Sequence, residues 1–138
     1  ENKDTVTMDT LTTDAVGSIA IGEPTTVPAG KYASQVFDNM GITDQISGKI
    51  VEAKDVRAVL TYVKEGNADC GFVYRTDAEI EKDIAIIGDV DESLHDPIVY
   101  PAAILKDAPQ ADSAADFYDF LQSDFARKVF EKYGFTVK

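Results

Sequence analysis

Apolar positions along this chain change period repeatedly, and the changes divide it into short strands and amphipathic helices. Residues 19–21, Ile-Ala-Ile, form an apolar run that enters a Gly/Pro turn and reads as a strand. Over residues 30–40 the apolar positions are Tyr32, Ala33, Val36, Phe37 and Met40. Steps of three and four predict a helix, which Gly41 stops. Ile50-Val51 predicts a second brief strand. Asp55 then stands as N-cap to a helix with Val56, Val59, Leu60 and Val63 on one face, ended by Gly66.

Further along, residues 69–74 are nearly continuously apolar, as in a strand covered on both faces. Residues 76–81 read as a short helix or turn, and 84–87 as another buried strand. The apolar run 98–105 is broken by Pro101, which a central strand tolerates poorly. It is expected to be a connection that leaves one sheet and enters another. Two helical patterns follow. Ala114, Phe117, Tyr118 and Leu121 mark one; Phe125, Ala126, Val129, Phe130 and Tyr133 mark the other, closed by Gly134. Residues 1–17 are polar and rich in Thr and Asp, with one short helix expected around 8–16.

Strands alternate with helices over most of the chain, which predicts an α/β fold with a mostly parallel sheet. Ligands in such folds lie beyond the carboxyl ends of strands, where helices begin. Three places meet that rule: Val27-Pro28-Ala29-Gly30, Lys54-Asp55-Val56-Arg57, and Tyr74. Helix starts leave backbone N–H groups without intrahelical partners and carry a favourable dipole for an anion. The N–H groups of Ala29 and Val56 and the hydroxyl of Tyr74 are therefore candidate donors. A lining of donors alone favours a fully ionised tetrahedral anion. Taken singly, each feature is more often an ordinary helix start, an ordinary N-cap or a packing tyrosine; only their shared position gives them weight. Arg57 and Lys31 lie close by and either soften the local potential or point to solvent.

Composition narrows the choices. The 138 residues suit one domain or one lobe of a larger protein, and the 44% apolar fraction is enough for a core. No run of 18 apolar residues is present. The opening Glu1-Asn2-Lys3-Asp4 carries no signal peptide or initiator Met and reads as a cut, mature or engineered start. A net charge of −12 argues against nucleic acid as a partner. It also requires that a bound anion be held by local dipoles against the overall field. The lone Cys70 lies in an apolar run and reads as a buried, inert thiol. His95, the sole histidine, reads as an exposed loop residue with no nucleophile motif to serve, so the chain is not expected to be an enzyme. No His or Cys pair has metal spacing, and Asp89, Asp91, Glu92 and Asp96 do not match a calcium loop.

The run 21–33, Ile-Gly-Glu-Pro-Thr-Thr-Val-Pro-Ala-Gly-Lys-Tyr-Ala, resembles the periplasmic molybdate-binding protein family of ABC transporters. So do residues 55–60, 71–77 and 95–101, together with the ending Phe130-Glu131-Lys132-Tyr133-Gly134-Phe135. The likeness covers about residues 18–138, in order. It implies two α/β lobes joined by crossing strands and closing on molybdate or tungstate, with no protein–metal bond and no cofactor. On this chain the implied donors are Ala29, Val56 and Tyr74, the positions that strand ends and helix starts also select. The implied partner is the membrane permease of an ABC importer. The implied location is outside the cell membrane, either periplasmic or tethered by a lipid. In the family a first lobe precedes this region and contributes two serines, and this chain has no counterpart of it. Residues 1–100 are thus expected to be the second, ligand-binding lobe. Residues 101–138 are expected to be a returning strand and two helices that normally dock on the first lobe. As such a C-terminal fragment, the chain is expected to bind weakly or not at all. Its last helices should fold back or pair with another copy in a swapped or symmetric homodimer. Two alternatives remain open: a binding protein for sulfate or another oxyanion, and the ligand-sensing domain of a transcription regulator.

Overall fold

Three short parallel strands organise the first part of the molecule, in the order β2-β1-β3. The structure, a computed structural model, describes residues 5–137. Strand β1 (Ile19–Gly22) is central and buried at all four positions. It pairs with β2 (Ile50–Ala53) from Ile19 opposite Ile50 to Gly22 opposite Ala53, and with β3 (Cys70–Gly71) through Ile19 and Ala20. Helix α1 (Pro28–Met40) and the short α2 (Thr43–Ile46) connect β1 to β2; α3 (Val56–Lys64) connects β2 to β3. The turn after α1 needs Gly41, whose φ is 68°, a left-handed conformation that most residues avoid.

Strand alternation sets the two cores. Ile19 and Ile21 point to one face and pack with Val36 and Phe37 of α1, with Ile46, and with Val6, Leu11 and Val16. Ala20 points to the other face, with Ala53, Val59 and Ala68. That second face is built from small residues, so α3 lies close to the sheet. A Cβ on Gly71 would stand 2.7 Å from Val59 Cγ1 and 3.1 Å from the carbonyl of Ala20. Both helices therefore approach the sheet at a fixed depth, which places their first turns.

Three sequence expectations change in this part of the chain. The helix expected at 8–16 is a single 3-10 turn, Met8–Thr10. Thr10 Oγ1 accepts from Thr7 N–H at 2.8 Å and lies 3.0 Å from the Thr5 carbonyl, local bonds that compete with an α-helix. Residues 1–4 of the expected leading segment, and with them the reading of the chain's start, lie outside the described residues. The strand expected at 69–74 pairs only at Cys70–Gly71, with one further bond from Phe72 N–H to the Ala20 carbonyl at 3.0 Å. No strand forms at 84–87 to pair with its outer edge; Ile86 is 45% and Ile87 47% exposed. Short apolar runs carry no reliable period, which is why this one reads as a strand in sequence.

The chain divides into two compact units, Glu1–Pro97 and Ile98–Lys138. In the second, α5 (Ala111–Leu121) is followed by α6 (Asp124–Lys132). Ser123 Oγ accepts from Ala126 N–H at 3.2 Å and caps α6, and Gly134, at φ 83°, follows it. Aromatic rings gather here: Phe120 lies 6.1 Å from Phe125, and Tyr100 5.6 Å from Phe135. The run 98–105 forms no strand, contrary to its apolar content; Val99 is 65% and Leu105 78% exposed.

Candidate functional site

The carboxyl ends of the three strands open on one cleft. Residues 26–28 follow β1, residues 54–57 follow β2, and Tyr74 follows β3; together with Asp77 they line a cavity of about 510 Å³. Parallel pairing from Gly22 to Ala53 puts the first two loops side by side, and the Phe72 bond to Ala20 brings Tyr74 alongside.

Helix α1 begins at Pro28, whose missing N–H costs nothing at that position. Its N-cap, Val27, offers no side-chain acceptor, while the Val27 carbonyl takes the N–H groups of Gly30 (2.9 Å) and Lys31 (3.1 Å). Helix α3 is capped differently: Asp55 Oδ1 accepts from Ala58 N–H at 2.8 Å. Among the described residues no protein acceptor takes the N–H of Ala29 or of Val56. Tyr74 is half-buried, and its carbonyl accepts from Asp77 and Ala78 N–H at 3.0 and 3.1 Å, which starts α4 (Arg75–Ala78).

Two glycines fix the depth of the first wall. A Cβ on Gly30 would overlap the carbonyl of Gly22, and one on Gly22 would overlap Val27. The end of β1 and the first turn of α1 are thus in backbone contact, which only glycine at both positions permits.

Val56 and Tyr74 line the cleft directly, whereas Ala29 is buried at 6% exposure just behind Pro28. Arg57 belongs to the lining along with Lys54; Lys31 does not. Sequence reasoning missed Thr26 and Asp77. The threonines of Glu-Pro-Thr-Thr are a turn signal that could have pointed to Thr26. For Asp77 no such signal exists, because its place depends on where the short α4 starts.

The remaining candidates are occupied elsewhere. Cys70 is buried, and burial, with Asp69 adding to it, pushes its thiol up to about 11, which makes it unreactive. His95 differs from the expected exposed loop residue. It is half-buried, 5.8 Å from the Tyr32 ring, with Nδ1 2.8 Å from the Asp96 carbonyl. Asp96 in turn exchanges two hydrogen bonds with Gln35 of α1, at 2.7 and 2.9 Å. Asp89 pairs with Arg75 at 2.7 Å. Asp91 accepts from Ser93 N–H at 2.9 Å, which holds its carboxyl below the usual range. Among the described residues no three His, Cys, Asp or Glu side chains gather as metal ligands, and no helix is long and apolar enough to cross a membrane.

Comparison with known proteins adds a second line of argument. The family described as "Bacterial extracellular solute-binding protein" matches residues 1–136. A Bacillus subtilis protein, provisionally named an ABC transporter substrate-binding lipoprotein, is 48% identical over 120 residues, covering 87% of this chain and 46% of that protein. The molybdate-binding protein ModA of Haemophilus influenzae is 37% identical over 87% of this chain and 47% of its own length. The chain therefore spans about half the length of these relatives. A solved Clostridium difficile substrate-binding domain, provisionally assigned to a molybdenum ABC transporter, superposes with a TM-score of 0.89 at 42% identity, covering 99% of this chain and 60% of that one. The periplasmic-binding-protein-like architecture of a parallel sheet flanked by helices is common to both.

Proposed function

Because the chain belongs to the family of bacterial extracellular solute-binding proteins, we propose that its cleft receives a tetrahedral oxyanion, molybdate or tungstate, for an ABC importer. The observation that carries this reading is the convergence of two helix starts and a tyrosine on one cavity at the ends of three adjacent strands. Relatives named as molybdate-binding proteins support the choice of anion. In the proposal, the N–H groups of Ala29 and Val56 and the hydroxyl of Tyr74 donate to the anion's oxygens, and no enzymatic step follows. Hydrogen bonds to a charged group contribute about 1.5–3 kcal/mol each, so several are needed to offset the loss of hydration. Lys54 and Arg57 line the same cavity and soften the local potential there.

The proposal extends to the whole protein. Residues 1–100 serve as a ligand-binding lobe, and residues beyond 100 belong with a partner lobe that supplies further donors. A permease in the membrane takes up the released anion, and the protein works outside the cell membrane, free or lipid-tethered. The 138 residues alone, with donors from one side, bind weakly. Calorimetry with molybdate, tungstate and sulfate on this chain tests the reading. A molybdate Kd weaker than about 1 μM is expected; a submicromolar value would overturn the one-sided site. Tyr74→Phe in a two-lobed protein carrying this lobe should weaken molybdate binding roughly tenfold or more, the share of one charge-assisted hydrogen bond. Unchanged affinity would leave Tyr74 as packing only, and preference for sulfate would reassign the ligand.

A further inference from the structure

One residue beside the cleft accepts or donates six hydrogen bonds, none of which points to a ligand. Glu23 follows β1 directly and is half-buried. Its N–H donates to the Ala53 carbonyl at the end of β2, at 2.8 Å. Its carbonyl accepts from Thr26 N–H at 3.2 Å and Val27 N–H at 2.8 Å. Carboxylate Oε1 accepts from Thr25 N–H at 3.1 Å and Thr25 Oγ1 at 2.6 Å, and Oε2 from Thr26 Oγ1 at 2.5 Å.

These bonds do two things. The backbone N–H bond to Ala53 joins the loop before α1 to the strand before α3, and the carboxylate bonds hold the two threonines of that loop. They also spend the hydroxyl proton of Thr26, a cleft-lining residue, on Glu23 rather than on the cleft. Charge-assisted bonds of this kind are stronger than neutral ones, and the carboxyl is correspondingly held below the usual range, first by Thr25 and then by Thr26.

We propose that Glu23 is the positioning residue of the cleft: its carboxylate holds Thr25 and Thr26, so that the loop leading into α1 keeps its shape beside the backbone bond to Ala53 and the first turn of α1 faces the anion, and it removes Thr26 from the donor set. This rests on the oxyanion reading above. Without the carboxylate the loop keeps its backbone bonds but loses the hold on Thr25 and Thr26, and an anion that must order those residues on binding is bound more weakly.

The test uses the 138-residue chain, sodium molybdate as probe and amide NMR as readout, which measures weak binding. Glu23→Ala should raise amide exchange at Gly30 and Lys31, whose bonds to Val27 define the first turn of α1, by tenfold or more. Exchange in the last turn of α1 should not change. Molybdate affinity, read from the Ala29 and Val56 resonances, should fall at least tenfold. Glu23→Gln, which keeps one acceptor oxygen, should recover part of both effects. Unchanged exchange at Gly30 and Lys31, or looser exchange with molybdate affinity within twofold of the unaltered chain, would overturn the positioning role. A two-lobed protein carrying this lobe whose Ala29 and Val56 resonances ignore molybdate would overturn the oxyanion reading itself, and Glu23's role with it.

Discussion

Helices α3 and α6 are both nine residues long, and each starts at a side chain that caps it, Asp55 at 2.8 Å and Ser123 at 3.2 Å. Their surroundings differ. Val59 of α3 is fully buried against the alanines of the sheet. In α6 only Ala126 is buried, while Phe125 is 67% and Val129 39% exposed. Local signals suffice to start and stop a helix, but burial of its apolar face depends on what lies across from it. The first turn of α3 is held both by its cap and by burial of Val59, and it opens on the cleft.

Core truncation should expose the contrast most strongly. Ile19→Ala, at a position with 0% exposure, should cost about 2–5 kcal/mol in urea unfolding. Phe125→Ala should change stability by less than about 0.5 kcal/mol despite removing a larger side chain. Equal effects would mean that the aromatic face of α6 is covered in solution.

Gly30→Ala should come next, at about 1–3 kcal/mol, because its Cβ meets the Gly22 carbonyl and the backbone must shift. It should also displace the Ala29 amide resonance, whereas Gly48→Ala, with nothing within 4 Å of its Cβ, should do neither.

Asp69 gives a smaller effect than the core truncation and adds a pH signature. Its Oδ2 accepts from Gly17 N–H at 2.8 Å, Ser18 N–H at 2.9 Å and Ser18 Oγ at 3.2 Å, tying β3 to the start of β1. Burial alone would raise its pKa, but these bonds outweigh it and hold the carboxyl below its ordinary 3.8. The stabilisation is therefore present above pH 3.8 and is lost as pH falls through the lower folded-state value. Asp69→Ala should cost about 1–2 kcal/mol at neutral pH and flatten that part of the acid unfolding profile. A variant with the same acid profile as the parent would place the stabilising bonds elsewhere.

Much of the fold was legible from neighbours within four residues. Asp55 as N-cap, Gly41 and Gly134 as stops, and the periods of α1, α3, α5 and α6 all rest on local geometry. The misses involve longer distances or competition. Residues 84–87 are apolar but find no partner strand, and residues 98–105 likewise. Thr7 and Thr10 turn inward on their own backbone and shorten the expected first helix. His95 is half-buried because Gln35 and Asn39 of α1 hold its loop, at separations of 61 and 55 residues for the Asp96 and Leu94 bonds.

The candidate site divides in the same way. By itself the sequence determined that helices follow the first two strands, that Asp55 caps the second of them, and that Tyr74 ends an apolar run. Tertiary structure decided that Val56 and Tyr74 line one cavity while Ala29 lies buried behind Pro28, that Thr26 and Asp77 join its wall, and that Glu23 ties two of its loops together. The reason is physical: a helix start is written in adjacent residues, but a cleft requires parallel strands to pair in a particular register, and register is set by packing across the whole sheet.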